Sequence, residues 1–194
     1  MLLPLLLFCI STSITPGPNN FMLMVSATNF GIRRSLPHFM GICLGFPVMV
    51  LIIGLGLASV FSAYPLLYNV IKYVGMVYMM YLTYKIITSV TNTNINGSTQ
   101  PISFIQAVLF QWVNPKAWIM AVAAVSTYTT KADNLFYQVL LISFIFLVTL
   151  FPSSGIWLLG GSIIQKLVKN QRQLRIFNLV MGAALLASIT FMFI

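Results

Sequence analysis

The sequence predicts an all-α integral membrane protein with six transmembrane helices, and three observations predict it. Only 6% of the 194 residues are charged, against roughly 25% in soluble domains, so the chain lacks the polar surface to stand in water. Hydrophobic residues make up 59%, with a mean hydropathy of +0.98. They fall into six apolar runs, at about 2–24, 37–62, 65–88, 102–126, 135–160 and 175–194, and one helical crossing takes roughly 20 residues. Residues 1–194 therefore read as a single transmembrane domain with no room for a sizeable soluble one.

The elements follow in order. The opening MLLPLLLFCI has no basic residue before it and no small-residue cleavage site after it, so it reads as the first membrane helix and not as a cleaved leader. Pro4, Pro37, Pro65 and Pro101 sit near segment starts, where a residue without an N–H is tolerated. Segment two opens with His38 beside Arg33 and Arg34, an interfacial position, with proton handling as its other reading; Gly41 and Gly45 give a G-x-x-x-G spacing that permits close helix contact. In segment three Lys72 is expected to snorkel outward, and Tyr78, Tyr81 and Tyr84 form one stripe, either core or pocket wall. Cys9 and Cys43 lie in apolar runs and read as buried small side chains.

Charge sets the orientation. Ten basic residues against one acid give a net +9, but the basic residues fall at loop ends and not on one polar face, which excludes a nucleic-acid surface. Arg33 and Arg34 lie in loop one, Lys85 in loop three, and Lys166, Lys169, Arg172 and Arg175 in loop five; the opposite side has Lys72 and Lys131, the latter offset by Asp133. The positive-inside rule makes the odd loops cytoplasmic and puts both termini outside.

An internal repeat is also legible. Segment one contains Thr15-Pro16-Gly17-Pro18-Asn19-Asn20 and segment four Gln111-Trp112-Val113-Asn114-Pro115-Lys116, about half a chain apart; segments two and five carry Phe46-Pro47 and Phe151-Pro152. The polar linker Ser89–Gln100 separates the halves, 1–90 and 101–194. Three helices per half force the second half upside down, the inverted 3+3 plan of many secondary transporters, with the site where broken helices meet.

That places the chemistry. Pro16 and Pro18 leave the carbonyls of Thr12 and Ile14 without their helical donors, and the helix restarting at Pro18 to Asn20 offers a positive dipole end suited to a carboxylate. Freed carbonyls with the Asn19 and Asn20 amides suit an ammonium group, so the pair matches a zwitterionic amino acid; the alternative is a plain kink satisfied by neighbouring helices. In segment four Gln111, Asn114 and Lys116 form the strongest polar cluster within any span. Lys116 reads as a carboxylate ligand, a proton carrier or a snorkelling side chain; Trp112 and Trp118 read as pocket walls or interfacial anchors. The single acid, Asp133, lies in a loop, and one histidine with two distant cysteines makes a poor ligand set for a metal. No metal, cofactor or catalytic triad is expected, which argues against an enzyme.

The motifs T-P-G-P-N-N at 15–20, S-A-T-x-x-G at 26–31, G-M-V-Y-M-M-Y-L-T-Y-K at 75–85, P-I-S-F at 101–104 and N-P-K at 114–116 resemble the lysine exporter family, also called LysE/RhtB. The similarity spans almost the whole chain, and Ser26 to Gly31 with Pro101 to Thr127 look closest to the cysteine/O-acetylserine exporters. The resemblance implies a bacterial inner-membrane exporter of amino acids driven by the proton motive force, with a passive facilitator or a homoserine/threonine-type exporter as alternatives. It implies a small amino-acid substrate and membrane lipids as partners, leaves a homodimer open, and carries a site role onto Thr15, Pro16, Gly17, Pro18 and Asn19 and onto Asn114, Pro115 and Lys116. Many members have Asp where this chain has Asn19, so a carboxylate relay is missing here, leaving Lys116 or an uncoupled route. Single cysteines introduced in loops one and five are expected to resist an impermeant thiol reagent added outside intact cells, and labelling there would invert the orientation.

Overall fold

Backbone N–H and C=O groups find no water in hydrocarbon, so a chain this apolar must satisfy them internally, and helices do so within one segment. The computed structural model describes residues 2–57, 65–88, 100–130 and 134–190; most of the polar linker, Lys131, Asp133 and the Lys72 side chain lie outside them. The described residues form seven α-helices: α1 (Leu2–Ile14), α2 (Pro18–Ile52), α3 (Pro65–Thr88), α4 (Phe104–Val113), α5 (Pro115–Tyr128), α6 (Leu135–Leu167) and α7 (Gln171–Thr190), with a π-helical turn at Ile53–Leu57 after α2. Seven helices stand where six apolar segments were read, because the prolines divide segments one and four while α2 joins the second part of segment one to segment two.

Side chains mark the helix starts. Ser103 Oγ accepts from the Gln106 N–H at 3.2 Å while Gln106 Oε1 accepts from the Ser103 N–H at 3.0 Å, a capping box that opens α4. Asn134 Oδ1 accepts from the Phe136 N–H at α6, and Asn170 Oδ1 from the Gln173 N–H at α7. Each satisfies a donor that the first helical turn leaves open.

The stretch labelled α2 is folded back on itself. Gly31 has φ 79 and ψ 168, a left-handed conformation that glycine adopts without a Cβ penalty. Ser26 Oγ and Ser35 Oγ, nine residues apart, lie 3.0 Å from each other, whereas a straight helix would separate them by about 13 Å. Helix therefore resumes at Ile32 and not at Pro37. This corrects the reading of His38: it sits almost two turns inside a helix, is 1% exposed, and its Nδ1 has no hydrogen-bond partner.

The second arm of α2 and α6 form the centre of the fold. Phe46 and Phe146 meet edge to face at 4.9 Å, within a core that includes Leu23, Ile42, Met49, Trp118 and Leu150. Gly41 and Gly45 lie against Phe104, Ala107 and Val108 of α4, so the G-x-x-x-G spacing brings these two helices close. Thr28 Oγ1 donates to the Gly161 carbonyl at 3.0 Å, tying the first arm of α2 to α6. A smaller cluster of Met22, Met79, Leu82, Phe110 and Leu185 joins α2, α3, α4 and α7.

The outer surface is apolar, with Leu3, Val77, Ile105, Ile119 and Phe144 more than half exposed, as a lipid-facing belt requires. By length and hydropathy Pro18–Gly56 and α6 each suffice to cross a membrane, and α4 with α5, bent by 69°, provide another crossing if taken as one unit. Arg33, Arg34, Lys85, Lys166, Lys169, Arg172 and Arg175 are all exposed. A Cβ added at Gly161 would overlap the Met24 carbonyl oxygen and come within 2.8 Å of the Ala27 Cβ. Gly161→Val is expected to cost about 1–3 kcal/mol, read as a lower thermal midpoint in detergent, whereas Gly155→Ala, which meets nothing within 4 Å, leaves the midpoint in place.

Candidate functional site

The first break is closed by the chain's own side chains. The Thr12 carbonyl, freed by Pro16, accepts from Thr15 Oγ1 at 2.8 Å. The Ile14 carbonyl, freed by Pro18, accepts from Trp157 Nε1 at 3.0 Å. Asn20, 4% exposed, donates through Nδ2 to the carbonyls of Ser13 and Thr15, both at 2.9 Å. The two freed carbonyls are thus already partnered, which corrects their assignment to a substrate ammonium, and Asn20 bridges the gap in the helix.

At the second break Pro115 withholds an N–H from the Gln111 carbonyl, which accepts instead from the Asn114 N–H at 3.3 Å. Asn114 leaves the helical region (φ −91, ψ 110), and its Oδ1 accepts from the Lys116 N–H to start α5. Trp118 Nε1 donates to the Trp112 carbonyl at 2.8 Å, and the two indoles meet edge to face at 6.0 Å. The tryptophans therefore brace the break from both sides.

Lys116 and an amide pair join the two breaks. Lys116 Nζ donates to the Thr15 carbonyl and Thr15 Oγ1, both at 2.8 Å, and to the Pro16 carbonyl at 3.2 Å. Three acceptors match the three donors of an ammonium group, so the side chain turns inward and does not snorkel. Its methylenes pass so near Gly17 that a Cβ there would lie 2.7 Å from Lys116 Cδ. Beside this, Asn19 Nδ2 donates to Gln111 Oε1 at 2.8 Å while Gln111 Nε2 donates to Asn19 Oδ1 at 3.2 Å. Gln111 Nε2 also donates to the Ala107 carbonyl.

Between the breaks lies a small cavity. Gly17, Asn19, Asn20, Asn114 and Lys116, all expected from sequence, line it; Thr15, Pro16 and Gln111 hold those residues in place, Pro18 and Pro115 start helices, and Trp112 braces the break. Ile42, Phe46, Met120 and Leu150 form an apolar wall. Among the lining residues that sequence reasoning missed are Ser13 and Ser154, whose hydroxyls are buried without a partner. Ser13 directly precedes the first proline motif by two positions and Ser154 follows Phe151-Pro152 by two, which is the signal that was available.

A larger cleft shares no lining residue with the first. Tyr78 and Tyr81 form part of its wall and Lys85 lies on it, so two of the striped tyrosines are pocket residues. Among the described residues no group of three His, Cys, Asp or Glu is placed to hold a metal.

A helical membrane fold with a small polar cavity where two interrupted helices meet suits a translocator of small solutes. Residues 10–193 match the family described as LysE type translocator, and the chain belongs to that family. It is 31% identical over 170 residues to a cysteine/O-acetylserine efflux protein of Escherichia coli O1:K1 / APEC, covering 87% of each chain. The proteins of the same name in Escherichia coli strain K12 and Shigella flexneri serotype 5b (strain 8401) are 30% identical over the same length and coverage. No solved structure matches. Asn20→Ala would strand the Ser13 carbonyl and leave that of Thr15 to Lys116 alone, and is expected to cost about 1–3 kcal/mol, measured as a lowered thermal midpoint of the purified protein.

Proposed function

We propose that the protein exports small neutral amino acids, cysteine or O-acetylserine first, across the bacterial inner membrane by alternating access. The observation that carries this is the Lys116 ammonium seated among three oxygens of Thr15 and Pro16, on the edge of the small cavity between the breaks. Lys116 occupies the place a substrate ammonium would take. On binding, the substrate's ammonium replaces Nζ in the cradle, and the released Lys116 pairs with the substrate's carboxylate. Cradle and lysine stay satisfied in both states, which matters where an unpaired charge is costly. The lining has one cation and no acid, so nothing there favours a cationic side chain, and the names of the relatives agree with a neutral substrate.

The architecture that goes with this is six crossings, two of them broken, in inverted halves 1–90 and 101–194. The fold-back at Gly31 supports separating α2 into parts of crossings one and two, and the Asn19–Gln111 pair supports a site formed where equivalent breaks meet. Odd loops are cytoplasmic in this reading.

Purified protein in proteoliposomes is the test. Labelled cysteine and O-acetylserine are expected to accumulate when a pH gradient is imposed; equilibration without accumulation would make it a facilitator. A charge-assisted hydrogen bond is worth about 1.5–3 kcal/mol, and each 1.4 kcal/mol is about tenfold. Lys116→Met is therefore expected to lower kcat/KM for transport about 10- to 100-fold, and wild-type flux in that variant would remove the site assignment.

A further inference from the structure

Helical serines and threonines in an apolar setting normally return their hydroxyl proton to the carbonyl three or four residues back. This chain does so at Thr12, Thr28, Thr83, Thr129 and Thr149. Ser143 and the Ser26–Ser35 pair find partners on another segment of chain. Ser13 and Ser154 do neither. They are 4% and 0% exposed, their hydroxyls have no partner, and both line the cavity at the helix breaks. A buried hydroxyl left unpaired is costly, so two of them on residues that line one small cavity point to a ligand atom that pairs with them.

The rest of the lining says which part of the ligand that is. Lys116, Asn19 and Asn114 provide the polar side, while Ile42, Phe46, Met120 and Leu150 provide an apolar wall. An amino acid whose charged head meets Lys116 and the amides directs its side chain to the rest of the lining, which holds Ser13 and Ser154, the hydroxyls without a partner.

We infer that Ser13 and Ser154 form a side-chain subsite that recognises a sulfur or oxygen atom near the β-carbon of a small amino acid. The inference rests on the export reading above and adds the basis of its selectivity. The apolar wall accepts the carbon skeleton; the hydroxyls reject a ligand that offers them only hydrogen, because such a ligand leaves both unpaired.

The experiment compares cysteine with 2-aminobutyrate, which replaces the thiol with a methyl group, in proteoliposomes under reducing conditions. The wild-type protein is expected to prefer cysteine by roughly tenfold in kcat/KM. Ser154→Ala and Ser13→Ala should each bring that ratio toward one, with the KM for 2-aminobutyrate unchanged or lower. Ser153→Ala, at a buried neighbour outside the cavity lining, should keep the ratio. A wild-type ratio near one, or parallel loss of both substrates in the Ser13 and Ser154 variants, would overturn the subsite while leaving export standing. Wild-type protein that moves neither compound would take down the export reading as well.

Discussion

The Lys116 ammonium is the constraint around which the two helix breaks of this protein are arranged. Its three hydrogen bonds end on Thr15 and Pro16, a hundred residues away in the chain, and they fix how one interrupted helix meets the other. Gly17 has no side chain because the lysine passes over it, and Asn114 is extended because its side chain caps the helix that carries the lysine. Remove the ammonium and the Thr15 and Pro16 oxygens lose a donor in a setting with few others.

The surrounding polar residues follow one rule: every interruption of backbone bonding must be closed by a side chain. Thr15, Asn20 and Trp157 close the first break, Asn114 and Trp118 the second. Reciprocal amide pairs repeat the theme. Asn19 and Gln111 join the breaks, and Asn29 and Asn178 exchange hydrogen bonds of 3.0 and 3.2 Å between α2 and α7. Such pairs satisfy both partners without charge, so they hold helices together at little desolvation cost. Against this background the two unpartnered serines stand apart, since both line the cavity.

Much of this was legible in the sequence because hydropathy and proline act locally. Low charge and long apolar runs gave the helical membrane fold, and Pro16, Pro18 and Pro115 gave both breaks, since a missing N–H has the same effect whatever surrounds it. Gly17, Asn19, Asn20, Asn114 and Lys116, singled out from the sequence as substrate-binding residues, lie together on the cavity. What stayed hidden depends on distant contacts. Nothing near Trp157 says that its indole would take the Ile14 carbonyl, and nothing near His38 says that helix resumes six residues earlier. That second point turns on one backbone angle at Gly31, which sequence shows only as a glycine among several. The serines were passed over because a hydroxyl in a helix is ordinary until its missing partner is seen.

The reversal at Gly31 has a mechanical consequence. A single residue joins the two arms of α2, and Ser26 and Ser35 are hydrogen-bonded across the bend, so the hairpin has no slack with which one arm could slide past the other. Asn19 and Phe46, on opposite arms and both on the cavity, must then travel as one piece.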